Sequence, residues 1–250
     1  MGTTCKNCSV YFKGNFCNNC GQPAVTDKLN LGYILQDLEN GLLSFDNGIL
    51  YSIKALYTRP GHSIREFIQG KRVNHYKPLS LTILSATVFG LLYHILNINL
   101  LEYGTGNPSK NTWIDTTYIN ELIGGHYAII TLLSIPVFSM SSYVVFKRQG
   151  YNYIEHLVLN SFVASQKLLV HIPLLPLMYL LNGTKDIKIL SQCMTVLDFV
   201  LLYWCFSQFF HTLSKLRSFL LSLACTLISF VVLILLIIII VLAFNLPHIS

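Results

Sequence analysis

Residues 218–244 read SFLLSLACTLISFVVLILLIIIIVLAF, 27 positions without a formal charge. Within them Val231–Leu242 is apolar all round, whereas a helix on a soluble domain keeps a polar face. At about 1.5 Å per residue, roughly 20 residues cross a ~30 Å hydrocarbon core. Lipid offers the backbone no hydrogen bonds, so a run this long crosses as a helix and not as a barrel strand. Four stretches upstream fit the same template: Leu79–Ile98, His126–Phe146, His156–Leu181 and Ile189–His211. The second holds Pro136, the fourth one acid (Asp198), and the third Pro173 and Pro176 near its far end, which leaves open whether it is continuous or broken. Of the 250 residues 53% are hydrophobic and only 11% charged, with a mean hydropathy of +0.54. An ordinary soluble domain carries about 25% charge. These values exclude a soluble enzyme domain, a disordered chain and a disulfide-stapled mini-protein. They predict an all-α membrane protein with a five-helix transmembrane bundle.

The 17 Lys and Arg residues orient it. Nine precede the first stretch, Lys147 and Arg148 fill the second loop, and Lys215 and Arg217 the fourth. The opposite side has only Lys110, Lys185 and Lys188, and Lys167 lies inside a stretch. Cytoplasmic loops collect the basic residues. The expected placement is therefore a multi-pass protein of the inner (plasma) membrane, N-terminus cytoplasmic and C-terminus outside. No apolar signal core precedes the first stretch, which is expected to act as an uncleaved insertion signal.

Three regions follow: 1–25, 26–78 and the membrane domain 79–250. The first carries Cys5-x2-Cys8 and Cys17-x2-Cys20. Two such pairs can aim four sulfurs at one tetrahedral ion, and Gly21 suits the turn after the second pair. A zinc-ribbon-like knuckle with one structural zinc is expected, ligated by Cys5, Cys8, Cys17 and Cys20. An arm this short needs a metal to fold. Two disulfides are the alternative, disfavoured by a reducing cytoplasm. A redox dithiol would need a thioredoxin-like unit, which is missing. With two basic residues in the first 25 and no basic helix after them, nucleic-acid binding is not expected.

Region 26–78 shows a helical stripe of Leu31, Ile34, Leu35, Leu38, Leu42 and Phe45, then an Asp46-Asn47-Gly48 turn. Shorter stripes follow at Ile49, Ile53 and Leu56, and at Ile64, Phe67 and Ile68. Short amphipathic helices beside a membrane are expected in its interface. Arg59, Arg65, Lys71, Arg72 and Lys77 are candidate headgroup contacts; plain positive-inside anchoring is the alternative.

The pattern Phe16-Cys17-x2-Cys20-Gly21-Gln22, then Thr58-Arg59-Pro60-Gly61-x2-Ile64-Arg65-Glu66-Phe67-x2-Gly70-Lys71-Arg72-Val73, then Tyr76-Lys77-Pro78, resembles an uncharacterised family of bacterial membrane proteins. That family is classed as a domain of unknown function and is common in Bacteroidetes. The resemblance is close over residues 5–92 and looser beyond. It implies a zinc-ribbon-like arm on a multi-span membrane domain and brings no activity with it.

Polar residues inside the stretches are the other candidates. His156, Asn160, Ala164, Lys167 and His171 share one arc of the third stretch; Ser191, Thr195 and Asp198 share a face of the fourth. Counting depth at 1.5 Å per residue places Asp198 level with His171 and about a turn from Lys167, so Asp198 is expected to pair with one or the other. A neutralised pair that fixes helix register is the plain outcome; a proton- or ion-coupled site is the sharper one. No G-x-S-x-G, H-E-x-x-H or P-loop occurs, and no catalytic constellation is expected. The sequence thus suggests a non-enzymatic membrane module whose zinc arm docks a cytoplasmic partner or caps the membrane domain. The alternative is a small proton- or ion-coupled carrier or channel using Lys167, His171 and Asp198.

Overall fold

A computed structural model describes residues 2–26, 28–35, 48–98 and 116–245, with side chains of the last segment described over 125–239. The expected stripe positions Leu38, Leu42 and Phe45, residues 46–47 of the turn, and Lys110 lie outside the described residues. The chain is mostly helical.

The arm is a small hairpin. β1 (Gly2–Thr4) pairs antiparallel with β2 (Tyr11–Lys13), Thr3 opposite Phe12. Strand alternation turns Phe12 inward, where it packs with Cys5 and Cys17 as the arm's core. Beyond it come α1 (Gly48–Thr58), α2 (Pro60–Ile68), α3 (Pro78–Ile95), α4 (Thr116–Val145), α5 (Tyr153–His171), α6 (Leu175–Leu180), α7 (Asp186–Phe209) and α8 (Lys215–Asn245). Proline opens α2 and α3, where its missing N–H costs nothing. Asn152 and Glu155 close a capping box on α5, each side chain taking the other's backbone N–H at 2.8 Å.

Among the described residues, five segments are long and apolar enough to cross a membrane: Pro78–Ile95, Gly125–Val145, Tyr153–Leu180, Asp186–Phe209 and Lys215–Ile239. α4 kinks at His126 (φ −120°), just where its apolar part begins. The third segment is broken: a 3-10 turn at Ile172–Leu174 separates α5 from α6. Pro173 and Pro176 carry no N–H for the helical ladder, which accounts for the break.

In packing, α3 lies on α4 and α5, α5 on α7, and α8 on α4 and α7. The bundle is inside-out by soluble standards. Leu227, Val231, Ile234, Ile237 and Ile239 of α8 point outward, while Ser85, Ser142, His156, Asn160, Ser161 and Ser165 are buried. Several buried hydroxyls are paired: Thr82 Oγ1 reaches Ser161 O (2.9 Å) and Ser165 Oγ (3.0 Å), and Ser142 Oγ meets His156 Nδ1 (3.0 Å) and accepts from Asn160 Nδ2 (2.8 Å). Helices that meet in lipid use such small polar contacts.

The apolar faces of the two short helices pack on protein. α2 lies against α7 and α5, and α1 against α2 and α5. Gln166 Nε2 donates to Leu56 O at 2.9 Å, and the Tyr57 hydroxyl donates to Leu169 O, so the tip of this hairpin reaches roughly four turns into α5. The last carbonyls of a helix have no internal partner; Gln166 supplies one for α1.

Candidate functional site

Both cysteine knuckles are built alike. Ser9 N donates to Cys5 O (2.9 Å) and Gly21 N to Cys17 O (2.8 Å), and the residue after each pair takes positive φ, Ser9 at 61° and Gly21 at 74°. That turn points both thiols of a pair inward. All four Sγ atoms lie within 4.8 Å of one another, with Cys5–Cys20 and Cys8–Cys17 at 3.5 Å. A tetrahedral ion bound at about 2.3 Å sets sulfurs about 3.8 Å apart, so the donor set fits. A disulfide sets them about 2 Å apart, and all four cysteines are free. A hydrogen bond from the Asn19 amide, with one from the Val10 backbone, pulls the Cys8 thiol down to about 6; burial pushes Cys20 up to about 11. Four cysteines able to hold a metal ion therefore stand at the N-terminus.

The arm is fastened to the turn that follows α2 by Gln22, which is 1% exposed. Its Nε2 donates to Gly70 O (2.9 Å) and its Oε1 accepts from Arg72 N (3.1 Å), while its own carbonyl accepts from Cys17 N (2.8 Å). Lys6 Nζ donates to Thr26 O at 2.8 Å. Gly70 sits at φ +107°, and a Cβ there would stand 2.8 Å from Lys6 Cδ, so both conformation and space demand glycine.

The five candidate headgroup cations fall along the same segment. Arg59 pairs with Glu66 at 3.1 Å and donates to Tyr51 Oη at 2.8 Å; Lys71 stands 3.7 Å from Glu66. Burial pushes the Glu66 carboxyl up, but Arg59 and Lys71 outweigh it and hold it below its ordinary value. Arg65 donates to Gln208 O (2.9 Å) and Phe209 O (3.2 Å), placing its charge on the C-terminal carbonyls of α7. The Arg72 guanidinium lies over the Tyr33 ring at 5.0 Å. Lys77 precedes Pro78 in extended conformation.

Lys167, His171 and Asp198 come together. His171 Nε2 lies 3.0 Å from Asp198 Oδ1, and Lys167 Nζ lies 4.0 Å from Asp198 Oδ2. They line a chamber of about 560 Å³ walled by α4, α5, α7 and α8, with Ile135, Phe138, Val163 and Leu202 among its apolar lining. Small-molecule sites occupy ~300–1,000 Å³. Asn160, Tyr127 and Thr195 also border it. Gln22, Gln166 and Gln208 escaped sequence reasoning as functional contacts. A glutamine inside an apolar stretch is a signal that could have marked Gln166.

Residues 46–90 match the family model described as Protein of unknown function (DUF3667). The match spans α1, α2 and most of α3, and leaves the four cysteines outside. It supports an uncharacterised family of unknown function. No curated protein and no solved structure matches the chain.

Proposed function

We propose that this chain is a multi-pass inner-membrane protein whose N-terminal arm holds one structural zinc and caps the cytoplasmic end of the helix bundle. The observation that carries the capping is the grip of buried Gln22 on Gly70 and Arg72. A residue fixed to a cysteine loop by its backbone and to the turn after α2 by its side chain makes the arm part of the bundle's surface. Its other, exposed face, with Tyr11 and Phe16, remains for a cytoplasmic protein partner. Four cysteine ligands leave a zinc no open position, so its role is structural and no catalysis is assigned. Purified protein should carry one zinc per chain, lost in the quadruple Cys→Ser variant. Gln22→Ala should raise amide exchange across residues 2–26 and 70–72; an unchanged exchange pattern would defeat the cap. Cysteine labelling in whole cells reads the orientation, and an arm labelled from outside would reverse it.

A carrier function is the second reading, favoured by the position of Lys167, His171 and Asp198 on the chamber wall. Proton or solute flux in proteoliposomes that disappears in Asp198→Asn is the expected result. Flux that survives the substitution, or no flux at all, removes it.

A further inference from the structure

We infer that the chamber binds a single-chain, long-chain carboxylate, with its head at Lys167 and its tail along the apolar wall. The inference rests on the membrane placement proposed above and not on the metal.

Four observations lead to it. Lys167 lies near the middle of Tyr153–Leu180, the depth at which a charge left against hydrocarbon is most costly. Yet the Lys167 and Asp198 side chains keep 23% and 30% of their exposure, so the chamber leaves them open to an occupant. The walls at Ile135, Phe138, Val163 and Leu202 are apolar, which disfavours a column of water and favours an apolar body. At the rim, Val196, Leu223 and Phe230 are exposed, so the way in is greasy and suits entry from the lipid phase.

The head group follows from the charges. Two bases face one acid. His171 Nε2 and Asp198 Oδ1 stand 3.0 Å apart, yet neither atom makes a hydrogen bond among the described residues. The ammonium of Lys167 stands 4.0 Å from Asp198 Oδ2 and 6.0 Å from the Phe138 ring centroid. Both are beyond hydrogen-bond reach, and among the described residues Lys167 has no closer acceptor. An ammonium with donors to give and a buried imidazole nitrogen without a hydrogen-bond partner, two bases on one site, select an anionic acceptor over an alcohol or a cation. The tail adds little selectivity, because leaving lipid for an apolar wall gains no hydrophobic free energy. Discrimination therefore falls on the head, and that is what the test must read.

Full-length protein in nanodiscs should bind tritiated palmitate saturably, one per chain. Hexadecanol and hexadecyltrimethylammonium should compete at least tenfold less well than unlabelled palmitate, since a charge-assisted hydrogen bond is at stake. Lys167→Met should weaken binding tenfold or more, and Lys167→Arg should retain it. Should Lys167→Met fail to fold, Leu223→Trp, which narrows the mouth and leaves every charge in place, should weaken palmitate to the same extent. Equal competition by hexadecanol, or affinity indifferent to both Lys167→Met and Leu223→Trp, overturns the inference. A chain that stays soluble without detergent would overturn the membrane placement as well, whereas palmitate indifference in a detergent-requiring chain overturns the ligand alone.

Discussion

Replacing Gly61 with alanine adds one carbon where α2 meets α7. A Cβ at this position would stand 2.2 Å from Cys205 O and 2.5 Å from Phe209 N, both backbone atoms of α7 or its end. Backbone cannot rotate away as a side chain would, so α2 must retreat by about an ångström before contacts become ordinary. Overpacking of this kind costs about 1–3 kcal/mol. The retreat also lengthens the bond from Gly61 N to Gln208 Oε1 (3.1 Å) and the Arg65 bonds to Gln208 O and Phe209 O. Bonds from a charged donor contribute about 1.5–3 kcal/mol. Taking partial loss, Gly61→Ala should destabilise by about 3 kcal/mol, or about 6–12 °C in Tm for a chain of this size. Thermal unfolding of the detergent-purified protein, followed by size-exclusion fluorescence, measures it. Gly150→Ala is the control: φ is +80° there but nothing among the described residues lies within 4 Å of the added carbon, so only backbone strain of about 1 kcal/mol is expected. If Gly61→Ala unfolds no earlier than Gly150→Ala, the close approach of α2 to α7 is wrong.

His75 sits between the Tyr51 and Phe67 rings and hydrogen-bonds Ser63 Oγ at 2.8 Å. Burial pushes its imidazole down to about 4, against the pull of Glu66. A group lowered on folding gives stability that is full above its unfolded value of 6.5 and is lost as pH falls toward 4. The loss is about 3 kcal/mol. Denaturant midpoints between pH 7 and 4 should show it, and His75→Gln should flatten that slope. Gln166→Leu should cost about 1–3 kcal/mol, because Leu56 O then loses its partner in a buried position; stability equal to wild type would show that carbonyl satisfied elsewhere. Arg65→Met should lower Tm by several degrees and Arg65→Lys by less, since lysine keeps the charge but not the second nitrogen, which meets His62 Nδ1 at 2.9 Å.

The five long helices were legible because hydropathy summed over some 20 residues needs no knowledge of neighbours. The cysteine knuckles were legible for a similar reason: spacing, the following Gly21 and the turn are all local. The nearness of Asp198 to Lys167 and His171 could be counted from depth alone, at a fixed rise per residue. Other features have no local signature. Gln22 finds Gly70 and Arg72 some 50 residues away, and nothing around it marks that reach. The stripe on α2 announced a buried face without saying what would cover it. The residues that cover it belong to α5 and α7, far along the chain. The break at Ile172–Leu174 depends on whether neighbouring helices tolerate two prolines, a question of packing.

The arm touches the turn that follows α2, yet arm and helix belong to the bundle in different senses. Ile64, Phe67 and Ile68 of α2 are members of the same buried cluster as Val158 and Phe162 of α5 and Phe206 and Phe209 of α7. No residue of 2–26 joins it; the arm's core is separate, made of Cys5, Phe12 and Cys17. Two core clusters joined by a few hydrogen bonds can part without either being rebuilt, whereas pulling α2 away opens a packed interior. Gln22→Ala should therefore loosen the arm while leaving Tm of the bundle nearly unchanged, and Gly61→Ala should lower Tm for the whole. A common fall in both variants would mean that the arm is folded into the bundle's core after all, and that cap and core are one cooperative unit.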